Sequence, residues 1–132
     1  MSNNEEKPVV VFVDDKKPLL KAYSRIVRLL PCEVRTYDSP LLAASEVEGI
    51  DNLAVFISDG DMPGMRGDEL LGIVLDKKPC AVRMLMTGNR QLCERLSNTG
   101  LAHHYLEKPV ETSLLKELIG YCLTLYEEKK SF

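Results

Sequence analysis

The sequence predicts a doubly wound α/β domain, with a five-stranded parallel sheet as the middle of three layers and helices on both faces. Three observations lead there. Five short strand-like runs, at residues 9–13, 32–37, 53–58, 81–86 and 103–107, are each followed by apolar residues at helical spacing. The first and third runs do not alternate, as expected of strands buried on both faces. The connections are short and carry Pro, Gly, Asn or Asp, the residues that punctuate elements.

The first strand, residues 9–13, is a β-branched run that ends in Asp14-Asp15. Pro18 suits a helix's first turn, and Leu19, Leu20, Tyr23, Ile26, Val27 and Leu30 give that helix its apolar stripe up to Pro31. Residues 32–37 alternate weakly, which predicts an edge strand. Asp38 or Ser39 can cap the next short helix, with Pro40 at its first position and Gly49 at its end. The third strand, residues 53–58, breaks into the acidic, Pro/Gly-rich turn Asp59-Gly-Asp-Met-Pro-Gly-Met-Arg-Gly67. Gly67 or Asp68 opens a third helix on Leu70, Leu71, Val74 and Leu75. The fourth strand, residues 81–86, ends in Thr87-Gly88. Asn89 is a good N-cap for a helix carrying Leu92, Cys93 and Leu96, with Gly100 as its stop. The fifth strand, residues 103–107, ends in Lys108-Pro109. Thr112 or Ser113 caps a last helix with Leu114, Leu115, Leu118, Ile119, Cys122, Leu123 and Tyr126 inward.

A length of 132 residues fits one domain with a real core. Hydrophobic content of 45% and charged content of 28% are those of a globular protein rather than a disordered one. A net charge of −3 gives no bulk attraction to nucleic acid or to a membrane surface. No apolar run approaches the roughly 18 residues of a membrane span. Residues 1–7 are polar and lack a signal-peptide core, so a flexible arm, a domain over 8–130 and a cytoplasmic location are expected. Cys32, Cys80, Cys93 and Cys122 form no Cys-x-x-Cys pair, which argues for packed thiols rather than a zinc site or a disulfide framework.

Parallel topology places every strand's C-terminal end on one rim, where ligands bind in open α/β sheets. Asp14, Asp15, Asp59, Asp61, Thr87 and Lys108 therefore share that rim. Clustered carboxylates need a proton or a cation, and carboxylate oxygens with open positions suit Mg²⁺. A carboxylate can attack phosphorus to give an acyl phosphate, a reaction that needs mainly positioning and charge neutralisation. Each residue alone has a plainer role: a strand-terminal Asp often caps the next helix, Thr87-Gly88 is a common turn and Lys108 a common surface lysine. Their arrival at successive strand ends is what speaks for a site.

With that rim in view, the sequence resembles a response-regulator receiver domain over nearly its whole length. The acidic pair Asp14-Asp15, the segment Asp59-x-x-Met62-Pro63-Gly64-Met65-x-Gly67, Thr87-Gly88, Tyr105 and Lys108-Pro109 carry the resemblance. It implies a flavodoxin-like (βα)5 fold with strand order 2-1-3-4-5. It implies that Asp59 accepts phosphate from a histidine kinase or phosphotransfer protein. Asp14, Asp15, Asp59 and the backbone carbonyl of Asp61 would hold Mg²⁺. Lys108 would contact the phosphate, and its bond to Pro109 is open to the cis form. Thr87 and Tyr105 would switch, altering a face made of the fourth helix, fifth strand and fifth helix. Asp61 and Asn89, two past Asp59 and Thr87, would tune the phosphoryl lifetime. The family's domains are not enzymes on outside substrates, and the readout is an output domain, a partner protein or a phosphorylation-dependent homodimer. No direct nucleic-acid binding and no membrane contact are expected of the domain itself.

Lys16-Lys17 and Arg66 depart from the family's usual acidic or neutral choices. The long last helix leans toward an N-terminal domain of a longer protein, while a stand-alone relay or docking receiver stays open. A haloacid-dehalogenase-type phosphatase shares Asp59-x-Asp61, but there the second acidic pair comes late, and here it comes first. An EF-hand loop would need a ligand at Pro63 and a glutamate at Leu70.

Overall fold

The computed structural model describes residues 7–130. Most of the expected arm, residues 1–6, lies outside the described residues. Strand β1 is Val9–Val13 and helix α1 is Lys17–Val27. Strand β2 is Glu33–Tyr37, and helix α2, Pro40–Glu46, runs into a single 3-10 turn at Val47–Gly49. Then come β3 (Leu53–Asp59), α3 (Gly67–Lys77), β4 (Val82–Thr87), α4 (Arg90–Leu96), β5 (His104–Glu107) and α5 (Thr112–Lys130). The strands form one parallel sheet in the order β2-β1-β3-β4-β5. This is the doubly wound, flavodoxin-like α/β fold expected from the sequence, with the weakly alternating strand at an edge.

The uninterrupted apolar strands are the central ones. All five residues of β1 and all seven of β3 are buried. Alternate residues serve two cores. Val9, Val11, Val13, Phe56 and Leu85 pack against α2, α3 and α4. Val10, Phe12, Val55, Ile57, Met84 and Met86 pack against α1 and α5. Burying each such side chain contributes roughly 1.5–3 kcal/mol, so the sheet is anchored from both faces.

Helix starts follow local chemistry. Ser39 accepts a hydrogen bond from the Leu42 amide at 3.2 Å, and Asn89 accepts one from the Leu92 amide at 3.1 Å. Those bonds satisfy first-turn amides that have no partner inside the helix. Thr112, expected as a cap, is instead the first helical residue of α5.

Two expected core positions, Leu75 and Leu114, lie elsewhere, while Leu30 falls past the end of α1 yet still packs against the α1–α5 core. Helix α1 stops at Val27 because the residue before a proline disfavours helical backbone, and Leu30 precedes Pro31. Leu75 is 39% exposed and Leu114 49% exposed. Both sit at the rim of their helix's apolar stripe, since Leu70, Leu71 and Val74 cover the sheet in α3, and Leu115, Ile119, Cys122 and Leu123 cover it in α5.

Candidate functional site

The site begins with backbone. The Lys108 amide donates to the Thr87 carbonyl at 2.8 Å, which extends the β4–β5 pairing and carries the lysine to the rim. The Lys108–Pro109 peptide bond is cis. The Asp14 amide donates to the Tyr37 carbonyl at 3.1 Å, so the acidic pair is held where β1 ends. After β3 the chain turns through Gly60, whose amide reaches the Met86 carbonyl at 3.0 Å and whose carbonyl accepts from the Gly67 amide at 2.9 Å. Side chains are excluded at both ends of this turn. A Cβ on Gly67 would collide with the Asp59 carbonyl oxygen, and one on Gly60 would lie 2.8 Å from Thr87 Cβ and 3.0 Å from Leu92. Gly64, with φ of +94°, supplies the left-handed residue between them.

Three of the expected residues meet directly. Lys108 Nζ donates to Asp14 Oδ2 at 2.8 Å and to Asp59 Oδ1 at 3.1 Å. Asp59 Oδ1 also accepts from the Gly60 amide at 2.9 Å, and Asp14 Oδ1 from the Lys16 amide at 2.9 Å. Asp14, Asp59 and Thr87 are buried. Thr87 Oγ1 accepts from the Asn89 amide at 3.1 Å, which leaves the hydroxyl proton free to be donated elsewhere. Asp59, Asp61, Thr87, Asn89, Lys108 and Lys16 line a shallow open cleft of about 410 Å³.

The cluster is short of positive charge. Asp14, Asp15 and Asp59 bring carboxylate oxygens within 4.8 Å of one another. One ammonium is bonded to two of them. Asp15 Oδ1 is buried without a hydrogen bond, and its nearest cation, Lys16 Nζ, lies 3.6 Å away. Burial raises the Asp59 pKa above the ordinary carboxylate value; the Lys108 bond and charge oppose this, and Asp14 adds to it. Burial works against the Lys108 charge too, but its bonds to Asp14 and Asp59 outweigh that and raise its pKa. An orphaned oxygen among converging carboxylates fits a hard divalent cation, which prefers oxygen ligands.

Tyr105 is not brought to the cleft. Its ring packs against the core on the α2–α3–α4 side. Its hydroxyl accepts from the Ala102 amide at 2.9 Å and lies 3.3 Å from Thr99 Oγ1, which ties it to the α4–β5 loop. Arg83, 5% exposed, holds the same loop through Nε to the Leu101 carbonyl at 2.7 Å. The Arg83 amide donates to His103 Nδ1 at 3.0 Å.

Sequence reasoning missed Arg83 and Gly60. Arg83 is a charged residue in an otherwise apolar strand run, a signal that periodicity averages away. Tyr23, counted as core, is buried on α1, where burial raises its pKa and the Lys108 charge opposes the rise.

The model of the response regulator receiver domain matches residues 10–120. The chain is 34% identical over 113 residues to response regulator protein FleR of Pseudomonas aeruginosa, covering 84% of this chain and 24% of that protein. The chain thus spans about a quarter of that relative's length. A CheY-like response regulator receiver domain protein from Methanospirillum hungatei superposes with a TM-score of 0.82 at 23% identity, over 93% of this chain and 98% of that one. Response regulator protein TrrA from Thermotoga maritima, solved in complex with Mg²⁺-BeF, gives a TM-score of 0.77 at 24% identity, over 87% and 98%. The two structures share the fold.

Proposed function

The chain belongs to the response regulator receiver domain family, and from that premise we propose that Asp59 is its phosphoacceptor. The observation that carries this is the Lys108 ammonium, bonded at once to Asp14 and Asp59 where three strand ends meet. Asp59 Oδ1 is engaged by Lys108 and the Gly60 amide, so Oδ2 is the oxygen left for attack. Oδ2 attacks the phosphorus of a phosphohistidine, the P–N bond breaks, and the imidazole leaves with its electron pair. An aspartyl phosphate results. Lys108 offsets the charge of the incoming phosphoryl oxygens, and the Thr87 hydroxyl donates to one of them.

Asp14, Asp15, Asp59 and the backbone carbonyl of Asp61 would hold Mg²⁺. When bound, the ion neutralises charge on the phosphoryl oxygens. The orphaned Asp15 oxygen supports that assignment. Phosphorylation then biases a two-state element. Thr87 turns to the phosphoryl group, Tyr105 gives up the Ala102 amide and turns inward, and the surface of α4, β5 and α5 changes. Asp61 and Asn89 border the cleft and tune hydrolysis. An Asp61→Asn protein that loses phosphate at the unaltered rate would remove Asp61 from that role.

The donor in this reading is a cytoplasmic histidine kinase or a phosphotransfer protein. The receiver of the signal is an output domain, a partner or a second copy. The chain promotes only its own phosphorylation and dephosphorylation. Among the described residues no helix is long and apolar enough to cross a membrane. The early acidic pair and the family match leave the phosphatase alternative without support.

The test is intact mass after incubation with Mg²⁺ and acetyl phosphate, beside Asp59→Asn and with a phosphorylated histidine kinase as a second donor. One metal-dependent phosphoryl adduct, absent from the variant, is expected. A folded protein that takes no phosphoryl group from either donor contradicts the proposal.

A further inference from the structure

Among the described residues two lysines line the cleft, Lys108 and Lys16. Lys108 is fixed by its bonds to Asp14 and Asp59. Lys16 is held differently. Its amide donates to Asp14 Oδ1 at 2.9 Å, and its carbonyl accepts from the Leu19 and Leu20 amides at 3.0 and 3.3 Å. The backbone is therefore pinned between the acidic pair and the first turn of α1. The side chain is not. It is 64% exposed, and Nζ lies 3.6 Å from Asp15 Oδ1, an ion pair without a hydrogen bond.

That oxygen is the one in the cluster left unsatisfied. Asp15 Oδ1 is buried and has no hydrogen-bond partner among the described residues. It belongs to the three carboxylates whose oxygens lie within 4.8 Å of one another. The Lys16 charge offsets part of its burial through space. A divalent cation held by the same carboxylates would meet that charge, and two cations at one carboxylate repel each other. We propose that Lys16 is the resident counter-ion of Asp15 and must swing off that carboxylate when a divalent cation binds, so that it sets the cation affinity of the site. The inference rests on the Mg²⁺ assignment made above and goes further, since it makes the affinity of this chain weaker than its carboxylates alone would give. The exchange needs only rotation of one exposed side chain. An exposed ion pair is weak, so Lys16 lowers the affinity without abolishing it. The repulsion is also screened by salt.

The experiment is calorimetric titration with MgCl₂, in the absence of any phosphoryl donor, of wild type, Lys16→Met, Lys16→Arg and Lys17→Met, each shown to be folded by its melting curve. Lys17 is the control for formal charge: its ammonium pairs with Asp38 at 3.5 Å, and it does not line the cleft. Lys16→Met is expected to bind Mg²⁺ about twofold to fivefold more tightly than wild type, the scale of one exposed ion pair. Lys16→Arg, which keeps the charge, and Lys17→Met should stay near wild type. The gap between wild type and Lys16→Met should narrow as NaCl is raised. Unchanged or weaker binding in Lys16→Met overturns the proposal while leaving the Mg²⁺ assignment intact. Equal tightening in Lys17→Met also overturns it, because net charge rather than the Asp15 pair would then be responsible. Four folded proteins that take up no Mg²⁺ sink the metal assignment itself, and the proposal with it.

Discussion

Among the described residues Lys108 is the only cation bonded to Asp14 and Asp59, and its loss has a calculable direction. In Lys108→Met, Asp14 and Asp59 face one another with nothing between them. The loss is on the order of 3 kcal/mol at pH 7, the usual cost of breaking a buried pair from one side. Urea melts should show the deficit shrinking as pH falls through the raised Asp59 pKa, and shrinking when Mg²⁺ is added. Asp59 runs the other way. Its raised pKa means that the folded state prefers the protonated carboxyl, so ionised Asp59 weakens the fold at pH 7. Asp59→Asn should melt above wild type at pH 7, and the difference should vanish as pH falls through the raised Asp59 pKa. Equal melting at both pH values would show that Lys108 fully offsets burial. Asp14, Asp59, Thr87 and Lys108 were legible in the sequence because each ends a strand and parallel strands end together. Arg83 was not, because periodicity averages away one charge in an otherwise apolar strand run.

The β3–α3 turn and the α4–β5 loop are the elements on which the site depends. The turn closes only without side chains at positions 60 and 67. Gly60→Ala presses on Thr87 and Leu92 and should cost about 1–3 kcal/mol, the usual range for overpacking. Gly67→Ala meets the Asp59 backbone, which cannot swing aside, and should cost more. Denaturant midpoints for the pair would check the order. Arg83 and Tyr105 pin the α4–β5 loop from the sheet side. Arg83→Met should speed amide hydrogen exchange at Ala102 while lowering stability by about 1 kcal/mol, the scale of a net hydrogen bond. Unaltered exchange would mean that Tyr105 alone holds the loop. Element identity was readable throughout, since apolar run length and spacing separate strand from helix. Element ends were less so. Pro31 cut α1 back to Val27 through its effect on the preceding backbone, and the apolar stripes of α3 and α5 proved narrower than their runs of leucine.

At the scale of the molecule, the order β2-β1-β3-β4-β5 places β1, β3 and β4 side by side, with β5 next to β4. Residues as distant in sequence as Asp14 and Lys108 are thereby brought to 2.8 Å. That convergence followed from reading the chain as five βα units. The engagement of Tyr105 with Ala102 did not, because it depends on how one loop lies and not on any pattern in the sequence. The central claim is that this convergence makes Asp59, and none of its acidic neighbours, the phosphoacceptor. It is tested most directly by phosphorylating the chain with acetyl phosphate and Mg²⁺, reducing the acyl phosphate with borohydride, and mapping peptides by mass spectrometry. Reduction converts a phosphorylated aspartate to homoserine. Homoserine at position 59 alone is predicted. Homoserine at position 14, 15 or 61, with Asp59 unmodified, would contradict the account.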